Sequence, residues 1–224
     1  MAGRAEFLDN IRHRTRTGKY KPTQSPDVAW TPKEEPRESA YIEDPPSRFL
    51  EELGALGGHG LRVDTLEEAR EYVLELARER GAERLVRWDV EELEEMGVDG
   101  PLGEAGVEVA VWRDLEDFRE VAGRADIGLS TAAWAIAETG SLVIEGGPGR
   151  GRTVTLLPPT HVAVVPVDRM LRTVPEAIGK YTGEGGALPA NVTFHTGPSR
   201  SGDIEMSIFV GMHGPGDGHV VLVG

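Results

Sequence analysis

Short strand-like apolar runs alternate with helical patterns from Ser47 onward, and no other feature of the sequence limits the fold as strongly. Neighbouring parallel strands need a crossover connection, which is usually a helix. The alternation therefore predicts an α/β fold with a mainly parallel sheet that is covered by helices on both faces. The clearest helix follows Thr65, because Thr65 and Glu68 have capping-box spacing and Gly81 provides a stop.

Cap and turn residues mark the ends of other predicted elements. Ser47 is placed to cap a short helix that Gly57–Gly58 would end. Pro175 favours a break in, or a late start of, the helix expected over Asp168–Ile178, since the interior of a helix disfavours proline. Further helices are predicted at Val90–Met96 and Asp114–Val121, and strands at Leu61–Val63, Leu85–Trp88, Val107–Trp112, Ile127–Ile136, Ser141–Ile144, Val154–Leu157, His161–Val165, Val192–His195 and His219–Val223.

Composition excludes several classes of function. The 224 residues contain no cysteine, which rules out disulfides, a cysteine nucleophile, a thiolate zinc site and an ordinary iron–sulfur cluster. Lysine and arginine total 24 against 38 acidic residues, so the net charge is −14 at pH 7 and a nucleic-acid partner is not expected. No run approaches the roughly 20 apolar residues of a membrane span, and no apolar signal core lies near the first residue. We therefore expect a cytoplasmic protein.

Residues 1–46 form a distinct segment, which we predict to be a basic, proline-rich N-terminal arm ahead of a single α/β domain at 47–224. Proline donates no backbone hydrogen bond, so this segment is not expected to form core structure. The arm either lacks order or packs on the domain, or it docks on an acidic partner or a neighbouring subunit, so an oligomer is possible. Its prolines are Pro22, Pro26, Pro32, Pro36, Pro45 and Pro46.

The densest group of polar and glycine residues begins at Glu138, which is followed by Thr139 and Gly140. A carboxylate held by backbone donors at the start of a strand can act as a nucleophile or a general base, so Glu138 is a candidate catalytic residue. The alternative is that Glu138 is a hydrogen-bonded structural acid.

A glycine loop with two guanidinium groups follows at 146–152. Backbone N–H groups of such a loop, together with arginine forks, can bind phosphate or carboxylate. The loop lacks the Lys-Ser/Thr ending of a nucleotide P-loop, and a plain hairpin turn is the alternative. The candidate anion-binding residues here are Gly147, Gly149, Arg150 and Arg152, in addition to Thr139 and Gly140.

A second polar group follows the strand that ends near His195. Ser199, Arg200 and Asp203 suit a phosphorylated or carboxylated ligand, because ligands of open α/β sheets bind beyond the carboxyl ends of strands. The alternative is a helix N-cap built by the serines and the following acids. We predict that this group and the glycine loop meet at one rim.

His213 lies in a glycine-bordered loop and is a further candidate ligand-binding residue. His161, His195 and His219 raise the question of a metal. No two of these histidines have the i, i+4 spacing of helical ligands, so they are interpreted as packed histidines and no metal site is predicted.

Four ordered motifs carry a family resemblance. They are Ala135-Ile-Ala-Glu-Thr-Gly-Ser-Leu-Val, Leu157-Pro-Pro-Thr-His-Val, Gly197-Pro-Ser-Arg-x-x-Asp-Ile-Glu and Gly211-x-His-Gly-Pro. In this order they resemble the lactate-utilization protein C family (LutC/YkgG, the LUD domain). The resemblance implies a doubly wound sheet with a smaller added sheet, as in the superfamily of glucosamine-phosphate deaminase, ribose-phosphate isomerase and CoA-transferases (NagB/RpiA/CoA-transferase-like).

The resemblance also implies a role in the oxidation of L-lactate to pyruvate alongside iron–sulfur partner proteins. On this hypothesis the chain is a non-redox component that binds a small anionic ligand and carries no cofactor itself, while the clusters lie on the partners. Two alternatives stay open: a stand-alone enzyme of the isomerase or CoA-transferase kind that uses Glu138, and a scaffold subunit without chemistry.

Overall fold

A computed structural model of the chain describes residues 42–114, 117–182, 188–202 and 208–224. Most of the predicted N-terminal arm, residues 1–41, lies outside these ranges, as does Asp203. The helices are α1 (Pro45–Ala55), α2 (Leu66–Arg80), α3 (Glu91–Met96), α4 (Asp99–Glu104), α5 (Phe118–Arg124), α6 (Arg152–Leu156) and α7 (Val174–Thr182). The strands are β1 (His59–Val63), β2 (Arg84–Arg87), β3 (Glu108–Val111), β4 (Ile127–Ser130), β5 (Trp134–Ile136), β6 (Ser141–Glu145), β7 (Thr160–Pro166), β8 (Met170–Leu171), β9 (Val192–Thr196), β10 (Arg200–Gly202), β11 (Ile208–Val210) and β12 (Asp217–Val223).

The main sheet has six strands in the order β1-β12-β7-β4-β2-β3, and every neighbouring pair is parallel. The chain runs outward from β2 to β3 and then returns to β4 on the other side of β2. This reversal makes the carboxyl ends of β2 and β4 the switch point of the sheet, where open α/β folds commonly bind ligands. The predicted fold class, a mainly parallel α/β sheet with helices, is confirmed.

The smaller added sheet is also present, with the order β8-β5-β6-β9. It is mixed, since β5 pairs in parallel with β8 while the β5–β6 and β6–β9 pairs are antiparallel. Gly140 closes the turn between β5 and β6 with a φ of 60°. A Cβ at this position would lie 2.5 Å from the backbone nitrogen of Leu53 in α1, so the turn requires glycine both for its conformation and for its close approach to the helix.

The central strands of the main sheet are covered on both faces. All four residues of β4 are buried, and so are the first six residues of β7. Parallel strands covered in this way carry near-continuous apolar runs, which explains why their sequences show no alternation. The polar exceptions within these buried strands are Ser130, Thr160 and His161.

Several predicted elements differ from the structure. Val154–Leu157, predicted as a strand, lies mostly in the short helix α6, where Val154 and Thr155 are buried and the Thr155 hydroxyl donates to the carbonyl of Arg152. A four-residue, mainly apolar run does not distinguish a buried strand from a buried helical turn. The predicted strand Ile127–Ile136 is two strands in different sheets, β4 and β5.

The helix ends were predicted with mixed success. Thr65 and Glu68 form the expected capping box, and Gly81 ends α2 in the left-handed conformation. Of the two alternatives at Pro175, the late start occurs, since α7 begins at Val174 and the residues from Asp168 to Leu171 form a 3-10 turn and the strand β8 instead. The prediction that Ser47 caps α1 was wrong. The cap is Asp44, whose carboxylate accepts from the backbone N–H and the hydroxyl of Ser47. The helix predicted from Asp114 starts at Phe118, and residues 200–202 form a strand rather than a helical first turn.

Candidate functional site

A cavity of about 180 Å³ lies between the main sheet and the smaller sheet. His161, the second residue of β7, and His219, the third residue of β12, line it from the main sheet. His195 of β9 lines it from the smaller sheet. We call this space the histidine cavity. Its other lining residues are Leu53, Gly140, Leu142, Thr155, Leu156, Gly197, Pro198, Ser199, His213, Gly214, Pro215, Gly218 and Val220.

A side-chain hydrogen bond holds the buried His161 in place. Nε2 of His161 and Oγ of Ser130 are 2.8 Å apart in a buried contact. The rings of His161 and His195 meet edge to face with centroids 6.0 Å apart. Burial, together with the neighbouring imidazoles of His195 and His219, lowers the pKa of His161 to about 3. His161 is therefore a neutral imidazole near pH 7, with one ring nitrogen as donor and the other as acceptor.

His195 behaves in the same way, because burial lowers its pKa. The cavity thus offers neutral N–H donors and acceptors beside apolar walls formed by Leu142, Leu156 and Val220. Such a surface suits a small molecule that combines a polar group with an aliphatic part.

Two loops form the rim of the histidine cavity, one at residues 197–199 and one at residues 211–216, and backbone hydrogen bonds join them. The N–H of Ser199 donates to the carbonyl of Pro215 at 2.8 Å, and the N–H of Gly211 donates to the carbonyl of Ser199 at 2.9 Å. Three predicted ligand-binding residues, Gly140, Ser199 and His213, line the cavity. The side chain of Arg200 is exposed and donates to the carbonyl of Leu56, so it braces the end of α1 and is not among the lining residues.

The glycine loop 146–152 borders a different hollow. Gly147, Pro148 and Arg150 line a groove of about 500 Å³ together with Asp89, Val90, Glu91 and Glu92, and we call it the acidic groove. The N–H of Asp89 donates to the carbonyl of Gly149 at 2.9 Å, which fixes the loop beside the carboxyl end of β2. Arg152 is exposed at the start of α6 and lines neither hollow. The structure therefore does not bring the two predicted loops to one rim.

The charge of the acidic groove disfavours an anion. Burial acts to raise the pKa of Glu92, but the hydrogen bond from Arg169, a backbone hydrogen bond and the charges of Arg169 and Arg150 together lower it below its ordinary value. Arg150 itself lies 3.7 Å from a carboxylate oxygen of Glu145. Arg150 is the one guanidinium among the lining residues, which include three carboxylates, and two of these, Asp89 and Glu92, are paired with Arg113 and Arg169. The groove lies at the switch point of the sheet, but its lining carries more negative than positive groups.

Glu138 has a structural contact in the smaller sheet. Its side chain is exposed, and its Oε2 accepts from the backbone N–H of Val174, the first residue of α7, at 3.1 Å. Neighbouring Thr139 begins a chain of hydroxyl groups, with 2.7 Å from its Oγ1 to Oγ of Ser141 and 2.7 Å from there to Oγ1 of Thr196. Neither Glu138 nor Thr139 lines the histidine cavity.

The sequence matches the LUD domain family over residues 47–223. The chain belongs to the LUD domain family. Lactate utilization protein C of Shouchella clausii is 30% identical over 223 residues, which cover 96% of this chain and 95% of that protein. Lactate utilization protein C of Halalkalibacterium halodurans is 38% identical over 158 residues, which cover 69% of this chain and 67% of that protein.

A solved structure shares the fold of this LUD domain. The crystal structure of a DUF162 family protein from Deinococcus radiodurans aligns with a TM-score of 0.56 and 23% identity, covering 80% of this chain and 95% of that one. The family resemblance of the four sequence motifs is therefore confirmed, together with the fold that it implied. Among the described residues of this LUD protein, no helix has the length and apolarity needed to cross a membrane.

Sequence reasoning missed several residues of this LUD domain that now stand out. Ser130 is the hydrogen-bond partner of His161, and Tyr72 contacts His219. A usable signal was present: His161 and His219 each precede an apolar run at the start of a strand, in Thr-His-Val-Ala-Val and Gly-His-Val-Val-Leu. The two positions are out of register by one residue, since His161 pairs with Gly218 and His219 pairs with Val162. Their rings therefore project from opposite faces of the sheet, and each marks a polar site of its own.

Proposed function

We propose that the protein functions in L-lactate utilization and that its histidine cavity binds a small carboxylate, such as a 2-hydroxy or 2-oxo acid. The names of its relatives support the first part, since a protein named lactate utilization protein C matches nearly the whole chain. The match at 30–38% identity to two such proteins makes a shared role a reasonable starting point.

The histidine cavity carries the second part. Its volume of about 180 Å³ corresponds to about six water molecules at roughly 30 Å³ each. That space fits a three- or four-carbon acid and is smaller than the roughly 300–1,000 Å³ of sites for larger ligands. A buried carboxylate needs hydrogen-bond donors, which the neutral rings of His161 and His195 and the hydroxyl of Ser199 can provide. The apolar walls would contact the aliphatic end of the ligand.

The chain is proposed to act without its own redox centre. It has no cysteine, so an ordinary iron–sulfur cluster would have to lie on partner proteins. We propose that such iron–sulfur proteins accept the electrons of lactate oxidation in the cytoplasm, while this chain binds the small acid. The contact of Glu138 with the N-terminus of α7 gives no support to an enzyme that uses Glu138 as nucleophile.

Ligand binding tests the cavity directly. Titration calorimetry with L-lactate and with pyruvate should detect binding to the full chain, and His195→Gln should weaken it at least tenfold. Arg150→Ala is the matched control, because Arg150 lines the acidic groove instead. Binding that survives His195→Gln but is lost in Arg150→Ala would move the ligand to the glycine loop. No binding of either acid would refute the proposed site.

The cellular role needs a separate test. Deleting the gene in the source organism should abolish growth on L-lactate and leave growth on glucose unchanged, and the wild-type gene should restore it. The chain should also co-purify with iron–sulfur proteins from lactate-grown cells. Normal growth of the deletion strain on lactate would refute the role in lactate utilization, whatever the cavity binds.

A further inference from the structure

A second cluster of polar side chains lies where β1 meets β12. These strands are parallel, and His59 is in register with His219. Side chains in register project from the same face of a sheet, and the two imidazole rings stack with centroids 4.7 Å apart and an angle of 22°. Asp217 lies two residues before His219 on β12, so it projects from that face as well. The fold therefore brings His59 of β1 beside Asp217 and His219, which lie close together on β12.

The separations within this cluster match those of metal ligands. Nε2 of His59 lies 3.3 Å from Oδ1 of Asp217, and Nε2 of His219 lies 3.1 Å from Oδ2. Ligating atoms of the three residues all lie within 4.8 Å of one another. Two ligands bound tetrahedrally to zinc at about 2.0–2.1 Å are about 3.3 Å apart, so both nitrogen–oxygen separations already suit a shared ion.

His219 supplies an independent indication. It is 4% exposed, and its buried Nε2 faces the carboxylate of Asp217, with 3.1 Å to Oδ2. Its other ring nitrogen, Nδ1, lies 2.6 Å from the hydroxyl of Tyr72. If Nδ1 carries the proton and donates it to Tyr72, then Nε2 presents a lone pair toward the cluster. Histidine ligands of metals are commonly oriented by such a second hydrogen bond.

The residues around the cluster carry charges of both signs, so the positive charge beside Asp217 is offset by nearby carboxylates. Arg80 forms an ion pair of 2.5 Å with Oδ2 of Asp217 and holds the carboxylate in place. His59, His219 and Arg80 line a hollow of about 340 Å³. Glu75 and Glu79 line this hollow as well, and their negative charges offset the charge of Arg80. Two imidazoles with one carboxylate favour a transition-metal ion over calcium or magnesium, which prefer oxygen ligands.

We propose that His59, Asp217 and His219 form a binding site for a divalent transition-metal ion of the zinc type, with the fourth coordination position open to the hollow. The site rests on its own geometry and does not depend on the lactate role or on a ligand in the histidine cavity. Because His59 and His219 are paired residues of neighbouring strands, the hydrogen bonds between β1 and β12 keep the two rings close together when an ion binds.

Metal binding to the untagged, chelator-treated full chain tests this proposal. Cobalt(II) should give the visible absorption of a low-coordinate site, and zinc should displace it with a submicromolar to micromolar affinity in competition. His59→Ala should weaken zinc binding at least tenfold. The side chain of His59 is 58% exposed, so this variant is expected to fold normally.

His213→Ala is the matched control, since this exposed histidine lies outside the cluster and should bind zinc as the wild type does. Zinc should also raise the melting temperature of the wild type and of His213→Ala but not that of His59→Ala. Failure of the wild type to bind zinc below about 100 μM, or equal affinity in His59→Ala, would overturn the proposal.

Discussion

Buried His161 should make the protein sensitive to mild acid. Its pKa in the folded protein is about 3 against an ordinary value of 6.5. Below pH 6.5 the unfolded chain therefore binds a proton that the folded protein excludes. The unfolded state then holds more protons than the folded state, so the free energy of unfolding decreases as the pH falls from about 6.5 toward 3. Above pH 6.5 this contribution is fully present and no longer changes.

The size of the effect follows from the two pKa values. Protonation of the unfolded chain at pH 5, relative to pH 7, lowers the free energy of unfolding by about 2 kcal/mol through this one group. Other groups also titrate in this range, so the informative quantity is the difference from a variant that cannot titrate. His161→Gln removes the imidazole but keeps an amide that can bond to Ser130.

Urea unfolding at pH 7 and at pH 5 measures the effect. The wild type should lose about 2 kcal/mol more than His161→Gln between the two pH values, which is resolvable by linear extrapolation. As a second measurement, the ring NMR signals of His161 in the wild type should not titrate between pH 7 and pH 5. Equal pH dependence in both proteins, or a titrating His161 ring, would refute the reasoning.

Two further predictions concern stability alone. Gly128→Ala should destabilise the protein by about 3 kcal/mol or prevent folding, because the new Cβ would lie 1.9 Å from the carbonyl oxygen of Val154. Gly123→Ala is the control on an open face of α5 and should stabilise the protein by roughly 0.5–1 kcal/mol. Thermal unfolding measures both variants, and equal melting temperatures would contradict this prediction. Asp99→Asn should lower the free energy of unfolding by about 2 kcal/mol, since the buried guanidinium of Arg87 bonds to both oxygens of Asp99 at 2.7 and 2.6 Å. Glu108→Gln, which breaks an exposed ion pair with Arg84, should lower it by less than about 0.5 kcal/mol. Urea unfolding that ranks the two variants in the reverse order would contradict this prediction.

The sequence predicted the parts of the fold that depend on local signals. Capping by Thr65, the stop at Gly81 and the late start of α7 all follow from backbone chemistry within a few residues. The parallel sheet followed from the alternation of strands and crossover helices. Local signals failed where a short apolar run had no clear period, as in Val154–Leu157, which became α6.

The candidate sites were harder to predict, because they depend on pairing between distant strands. No local pattern indicates that His59 is in register with His219, and the i, i+4 criterion for metal ligands does not apply to ligands on neighbouring strands. The position of the glycine loop 146–152 depends on its backbone bond to Asp89. Nothing in the sequence of either segment shows that this contact separates Arg150 from the loop that contains Ser199.

The position of β12 between β1 and β7 has a consequence for synthesis on the ribosome. Within the part of the chain that the structure describes, β1 pairs with β12 alone, and Arg62 near the end of β1 donates to the carbonyl of Gly224, 162 residues later. At about 5–20 residues per second, this partner is made roughly 8 to 32 s after β1. During that time β7, β4, β2 and β3 can already pair with one another, whereas β1 has no strand beside it. The earliest strand of the domain is thus the last to join the sheet, and a nascent chain stalled before residue 217 would leave it without its partner strand.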